Sequence, residues 1–254
     1  MPHFIVKHII LLGALLLLPL SSRGADANPR ILFDQGHNER FLIEENGDLQ
    51  LSRLAETFRA QLSHVSSTKA SLNDETLKDV AALVISGPFQ ELKSDEIEAV
   101  ARFVEKGGHL AVMLHIGPPL GPLLNRLDVD FSNSVLHERH NIIEKDLNFN
   151  VKDLSPGPLF TGITQFSAYG VWALKAGAGS AVIARTSPDA WVDLNGDRIL
   201  SKGDAVGAFG VAVSGALGKG GFVVFGDDAI FQNRYHAGEN ATLATNLGAW
   251  LIGR

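Results

Sequence analysis

The sequence predicts an α/β fold: a three-layer sandwich with a mostly parallel sheet, helices on both faces and an irregular β-rich insertion. Two observations lead to this prediction. Short, unbroken apolar runs end abruptly in polar residues, which is the pattern of parallel strands covered on both faces. Segments with helical periodicity alternate with these runs, and that alternation is typical of a sheet built by right-handed crossovers.

The first half of the chain shows the alternation most clearly. Apolar residues that recur at helical spacing predict amphipathic helices, and Gly or Ser marks several of their ends. The expected elements, in order, are a strand at 31–33, a helix over 49–62, a polar edge strand at 63–70, a short helix begun by Asn73, a strand at 81–85, a helix capped by Ser94 and ended by Gly107 and Gly108, and a strand at 109–114.

The second half is less regular. Residues 128–179 are polar and interrupted by Pro and Gly, and we interpret them as an insertion of short strands within one domain. Strands are expected at 180–184, 206–213 and 222–225, and the last two would form a pair. Asn240 would cap a closing helix. It also begins an N-glycosylation triplet, but we favour the capping role.

The N-terminus has the plan of a secretory signal peptide. Lys7 and His8 precede an apolar run from Ile9 to Leu20, and a small-residue segment ends at Ala27. We therefore predict a signal peptide over 1–27, a single domain over 28–254 and export to the periplasm or the medium. The apolar run is shorter than the roughly 20 residues of a membrane span, so no span is expected after cleavage. An uncleaved anchor is the alternative.

Composition excludes several functions. The chain has no cysteine, which excludes a thiolate nucleophile and any cysteine metal site. Its 28 acidic residues outnumber its 22 basic ones, giving a formal charge of −6 without a basic run. Such a chain is a poor candidate for nucleic-acid binding.

Polar residues follow four of the expected strands. Because the carboxyl ends of parallel strands meet at one edge of the sheet, here called the crest, these side chains would surround a pocket there. Asp, Gly and Ser also follow strands simply to turn the chain and to cap helices, so a purely structural role is the alternative. The candidate ligand-binding residues are Asp34, His37, Glu39, Ser86, Gly87, His115, Asp227 and Asp228.

A second motif has the spacing of a calcium loop. Asp193, Asn195, Asp197 and Asp204 occupy positions 1, 3, 5 and 12 of a twelve-residue segment, where calcium loops carry oxygen ligands. The motif departs from the pattern because Arg198 stands where glycine is usual and Asp204 replaces a glutamate. A bound Ca²⁺ would be structural, and the alternative is a solvated turn.

Several short motifs together resemble a known family. They are residues 31–37, 85–88, 107–108, 226–228 and 240–251. They resemble the uncharacterised glutamine-amidotransferase-like (class I) domains of exported bacterial proteins, gliding-motility transporter accessory subunits and an intraflagellar-transport subunit. The resemblance implies a flavodoxin-like three-layer sandwich. It does not imply amidotransferase activity, because that activity needs a cysteine, and here His115-Ile116-Gly117-Pro118 follows the strand where the cysteine would be expected.

Three functional hypotheses follow. The first is a non-catalytic binding domain, with no catalytic residue assigned, for a small ligand, a glycan or an exported protein partner. The second is a hydrolase, with or without a metal, which requires Asp34, His37, His115 and Asp227 or Asp228 to lie within a few ångströms of one another. The third is a docking scaffold, which predicts an exposed apolar patch and no formed pocket.

Overall fold

The computed structural model describes residues 28–254, so the predicted signal peptide over 1–27 lies outside the described residues. The strands are β1 (Arg30–Asp34), β2 (His64–Thr68), β3 (Ala82–Ser86), β4 (His109–Met113), β5 (Val129–His137), β6 (Ile142–Ile143), β7 (Lys145–Val151), β8 (Asp153–Leu154), β9 (Phe166–Tyr169), β10 (Trp172–Ala176), β11 (Ser180–Arg185), β12 (Trp191–Val192), β13 (Ala205–Val206), β14 (Gly210–Leu217) and β15 (Gly220–Phe225). The helices are α1 (Ser52–Arg59), α2 (Ser94–Glu105), α3 (Gly121–Arg126) and α4 (Gly238–Leu251). Over the described range, no helix has the length and apolar character to span a bilayer.

The main sheet confirms the predicted fold class. Five strands are parallel in the order β2-β1-β3-β4-β15. This is the flavodoxin-like order, in which the chain moves outward in opposite directions from the centre of the sheet. Beyond β15 the sheet continues with antiparallel strands, in the order β14-β10-β5-β12-β13.

Helices cover the parallel strands on both faces. Successive residues of a strand point to opposite faces, so Ile31 and Phe33 contribute to one core and Leu32 to the other. The first core includes the apolar sides of α1 and α4, and the second includes those of α2 and α3. These two cores make the three layers and hold the strand ends of the crest in fixed positions.

Residues 128–179 build two structures. Strands β5 and β10 join the antiparallel part of the main sheet. Strands β6, β7 and β9 form a separate three-stranded sheet, whose buried side chains Phe149 and Phe166 belong to the same core as α1 and α4. This small sheet lies beside the crest and supplies residues to it.

Five local expectations are wrong. The side-chain oxygen of Asn73 accepts the N–H groups of Glu75 and Thr76 as a cap would, but only turns follow over 74–79 and no helix forms. The helix expected over 49–62 forms only over Ser52–Arg59. The strand expected at 206–213 is interrupted at 207–209 and divides into β13 and β14.

The fourth and fifth errors concern helix caps. Ser94 is the first residue of α2, and Lys93 is the cap, because the Glu96 carboxylate accepts the Lys93 N–H at 3.0 Å. Asn240 lies inside α4 and is only 3 % exposed. Its side chain bonds the backbone of Ser167 and of Ile230, so it ties the small sheet to the helix.

Candidate functional site

The structure places the predicted residues on the crest but divides them between two groups. Asp34 and Ser86 end neighbouring strands, β1 and β3, whereas His115 and Asp227 follow β4 and β15. No hydrogen bond between side chains joins the two groups within residues 28–254. The segment that begins at Gly87 lies between them: the Phe89 N–H bonds the carbonyl of His37, and the Phe89 ring lies 5.4 Å from the His115 ring.

The first group, here called the switch-point cluster, contains Asp34, His37, Glu39 and Glu96. It lies where β1 and β3 adjoin, which is the point at which ligands bind in flavodoxin-like sheets. His37 Nδ1 lies 2.6 Å from Asp34 Oδ2, and its Nε2 lies 3.2 Å from Glu96 Oε2. Burial lowers the pKa of His37, but the two carboxylates more than offset that effect and raise it to about 9.

Glu39 is the unusual member of this cluster. Its Oε2 accepts the backbone N–H of His37 at 2.8 Å, while its Oε1 is buried and has no hydrogen-bond partner among residues 28–254. Burial and the neighbouring Asp34 carboxylate raise the pKa of Glu39 to about 7.

The sequence did not identify Glu96 as a site residue. It stands in the first turn of α2, where an acidic residue is expected for helix stability alone. Besides His37, its carboxylate accepts the N–H groups of Leu72 and Lys93. Burial opposes ionisation, but these hydrogen bonds prevail and lower the pKa of Glu96. The fixed, ionised Glu96 orients the His37 ring.

The second group lines a cleft of about 320 Å³ between the crest and the small sheet. Two tyrosines from different parts of the chain, Tyr169 and Tyr235, stack there with ring centroids 3.7 Å apart. No sequence pattern marked these two residues, because it is the fold that brings them to the crest. The cleft is lined by Phe41, Leu49, His115, Lys145, Asn148, Tyr169, Gly170, Asp227, Ala229, Gln232 and Tyr235.

His115 forms a pair with a buried carboxylate. Its Nδ1 lies 3.1 Å from Oδ1 of Asp228, and the His115 side chain is 38 % exposed. The hydrogen bond to Asp228 raises the pKa of His115, although burial partly opposes it. Phe41 packs edge-on against the His115 ring at 4.8 Å. The imidazole is therefore held in place with one edge toward solvent.

The carboxylate of Asp227 is held by two backbone donors. Its oxygens accept the N–H of Tyr169 at 2.7 Å and that of Ala229 at 2.8 Å. Burial and the adjacent Asp228 raise the pKa of Asp227 to about 8. Oδ2 of Asp228 and Oγ of Ser86 are buried and have no hydrogen-bond partner within the described part of the chain.

The backbone conformation and the close packing at position 87 both require glycine. The φ of Gly87, +58°, is in the left-handed region, and a Cβ atom there would lie 2.5 Å from Oδ2 of Asp228. Glycine therefore lets the chain turn at the end of β3 while the Asp228 carboxylate lies against the turn.

The predicted calcium loop is closed by its own hydrogen bonds. Asp193 accepts the N–H groups of Gly196 and Arg198, and Asp204 accepts those of Leu194 and Ser201. Asn195 and Asp197 bond each other through side chains at 3.0 Å. These contacts hold the four predicted ligands on one loop, and calcium binding stays a prediction.

The comparisons with known proteins come from sequence and from structure. The family described as Domain of unknown function (DUF4350) matches residues 45–247. No curated protein sequence matches the chain. Among the solved structures that share the fold, three illustrate the likeness. The mmIFT52 N-terminal domain has a TM-score of 0.71 and 16% identity, covering 88% of this chain and 98% of that one.

The other two are more distant. A putative ThuA-like protein from Bacteroides uniformis has a TM-score of 0.52 and 13% identity, covering 93% of this chain and 96% of that one. The cytoplasmic protein STM1381 from Salmonella typhimurium has a TM-score of 0.52 and 16% identity, covering 87% and 99%. At these identities the likeness shows the flavodoxin-like fold alone.

Proposed function

The chain belongs to the DUF4350 family of unknown function, and we propose that it is a non-catalytic binding domain whose cleft holds a saccharide unit of a glycan. The observation that carries this proposal is the cleft, where polar side chains with free hydrogen-bonding groups lie next to aromatic rings. Its volume of about 320 Å³ falls within the roughly 300–1,000 Å³ typical of small-molecule sites.

The free hydrogen-bonding groups come from the small sheet. Neither Lys145 nor Asn148 makes a side-chain hydrogen bond or ion pair to any residue of 28–254, and both line the cleft. Gln232 and Asp227 on the opposite wall are already bonded within the protein. A ligand would therefore be oriented by the amine and amide on one wall and by fixed groups on the other.

The aromatic rings favour a saccharide over an extended apolar ligand. Tyr169 and Tyr235 combine ring surface with a hydroxyl, and Phe41 adds a second apolar surface across the cleft. A sugar ring offers C–H faces to such rings and hydroxyl groups to Lys145 and Asn148.

A hydrolase is the second candidate, because His115 and Asp228 form a histidine–carboxylate pair at the cleft. Two observations count against it. Both nitrogens of His37 are bonded to carboxylates, so His37 has no free nitrogen for a substrate. The lining of the cleft, as far as residues 28–254 form it, includes no Ser, Thr or Cys to serve as a nucleophile.

The proposal also includes export of the protein and its descent from glutamine-amidotransferase-like domains. A protein with the signal-peptide pattern over 1–27 would meet glycans in the periplasm or outside the cell. Descent from glutamine-amidotransferase-like domains would be accompanied by loss of the reacting cysteine, since the chain has none. Binding of an exported protein partner would use the same cleft rim, where Leu49 is 47% exposed.

The test is a nuclear magnetic resonance titration of the purified protein with cellobiose, maltose, lactose and N-acetylglucosamine. We expect at least one sugar to shift the resonances of residues around the cleft, and Asn148→Ala to weaken its binding at least tenfold. Asn133→Ala is the matched control, because Asn133 is exposed on β5 and lines a different cavity.

Two outcomes would contradict the proposal. Binding that survives Asn148→Ala unchanged would place the sugar elsewhere. Cleavage of the bound sugar, or of 4-nitrophenyl esters and glycosides, that disappears in His115→Ala would establish the hydrolase instead.

A further inference from the structure

The switch-point cluster concentrates negative charge in a buried place. Asp34, Glu39 and Glu96 supply three carboxyl groups, and His37 is the one basic side chain among them. Asp34 is 2%, Glu39 8% and Glu96 3% exposed. Buried polar groups are costly unless they are paired or bind a metal, and His37 pairs with Asp34 and Glu96 but not with Glu39.

The unpartnered oxygen of Glu39 points to a missing cation. The Glu39 side chain is more than nine-tenths buried, and its Oε1 has no hydrogen-bond partner within residues 28–254. One ligand atom from each of Asp34, His37 and Glu39 lies within 4.8 Å of the other two. Within the described range this is the one group of His, Asp and Glu side chains that meets this distance.

Glu96 has the position of a supporting group. Metal-binding histidines commonly donate their second ring N–H to a carboxylate, which fixes the ring and its tautomer. Here Nδ1 faces Asp34, whereas Nε2 faces Glu96, which is itself held by the N–H groups of Leu72 and Lys93. That arrangement leaves Nδ1 as the ligand atom.

We propose that Asp34, His37 and Glu39 bind a divalent transition-metal ion, of the Zn²⁺ or Mn²⁺ type, with Glu96 as the positioning residue for His37. One imidazole nitrogen with carboxylate oxygens suits these ions, whereas Ca²⁺ prefers oxygen alone. The ion would replace the proton shared by Asp34 and His37 and would bond the free oxygen of Glu39. A cavity of about 60 Å³ lies beside His37 and Glu96, with Lys69 and Lys93 in its lining.

This site goes beyond the proposed saccharide cleft and does not depend on it. The ion would hold the loop after β1, and the hydrogen bond between His37 and Glu96 links that loop to the start of α2. Because the segment 87–90 contacts both His37 and His115, an ordered cluster would also fix one wall next to the cleft.

The experiment titrates chelator-treated protein with Zn²⁺, Mn²⁺ and Ca²⁺ against a chromophoric chelator and follows thermal melting. We expect one equivalent of Zn²⁺ or Mn²⁺ to bind and to raise Tm, and Glu39→Gln to weaken binding at least tenfold. His140→Gln is the control, because His140 pairs with Asp189 at 2.8 Å on the surface. Glu96→Gln should weaken binding about 10- to 100-fold.

Metal-free Glu39→Gln gives an independent readout. It removes the repulsion between two carboxyl groups, so its Tm without metal should equal or exceed that of the wild type, while Zn²⁺ and Mn²⁺ should raise it no further.

The proposal is overturned if neither ion binds to the wild type, if Glu39→Gln binds like the wild type, or if Ca²⁺ alone binds. Should Glu39→Gln not fold, anomalous scattering from a Zn²⁺-soaked wild-type crystal decides: a peak elsewhere, or none, overturns the site.

Discussion

At the scale of single residues, the ionisation of His115 depends on the buried carboxylate beside it. Asp228 is fully buried, and Oδ1 accepts from His115 Nδ1. The negative charge of Asp228 stabilises the imidazolium and so raises the pKa of His115. The ionisation of the exposed His115 edge is thus controlled by a group that solvent does not reach.

Asp228→Asn should lower the pKa of His115. The amide still fills the space beside Gly87 but carries no charge, so burial of the imidazole prevails. The measurement is a proton-resonance titration of the His115 ring. Asp189→Asn, beside the exposed His140, is the comparison on the surface. An unchanged His115 pKa in Asp228→Asn would show that the pair does not control it.

Asp227 should make the folded state less stable as the pH rises. Its pKa of about 8 in the folded protein is above the ordinary value of about 3.9. The folded state therefore keeps a proton that the unfolded state loses. The resulting stability is fully present below about pH 4 and is lost as the pH rises through about 8, with a slope of at most about 1.4 kcal/mol per pH unit.

Urea unfolding of Asp227→Asn between pH 5 and 8 checks this. The variant should show a weaker decrease of the unfolding free energy with pH than the wild type. Asp130→Asn makes the same charge change at a side chain that is 69% exposed, and its slope should match the wild type. Parallel slopes for all three proteins would mean that Asp227 is ionised in the folded state.

At the scale of elements, the turn after β3 is constrained twice, by its backbone conformation and by Asp228. Gly87→Ala should lower the unfolding free energy by the roughly 1–2 kcal/mol of a left-handed residue plus the cost of the close contact. Gly238→Ala is the matched control, because Gly238 has a φ of +54° and nothing lies within 4 Å of its added Cβ. Equal losses in the two variants would remove the role assigned to the Asp228 contact.

The loop from Asp193 to Asp204 is predicted to bind Ca²⁺. If it binds Ca²⁺, a chelator should lower Tm, and Asp193→Asn should abolish that response, because ligands stabilise the state that binds them. Ser187→Ala, outside the loop, should respond like the wild type. A melting curve that is the same with and without Ca²⁺ would show that the loop is a hydrogen-bonded turn that binds no Ca²⁺.

The elements also show what the sequence could predict. Apolar runs ending in Asp34, Ser86 and Gly226-Asp227 were sufficient to place the parallel strands and the crest, since burial on both faces imposes that pattern. Glu96 was missed because its contact with His37 joins residues 59 positions apart. Lys145 and Asn148 were missed because the sequence did not predict the separate three-stranded sheet that brings β7 to the cleft.

At the scale of the whole molecule, the flavodoxin-like half and the antiparallel half have different roles. The parallel half fixes the strand ends, and the small sheet of β6, β7 and β9 covers one side of them. The cleft exists only where these two parts meet. The mmIFT52 N-terminal domain shares the flavodoxin-like fold over 88% of this chain, so the fold alone does not decide what the cleft binds.

The most direct test of the account is a crystal structure of the protein soaked with the sugar that binds in the titration. The account predicts density for an intact saccharide in the cleft, against Tyr235 and within hydrogen-bonding distance of Asn148 and Lys145. A cleaved sugar, an empty cleft, or a sugar bound away from these residues would contradict it.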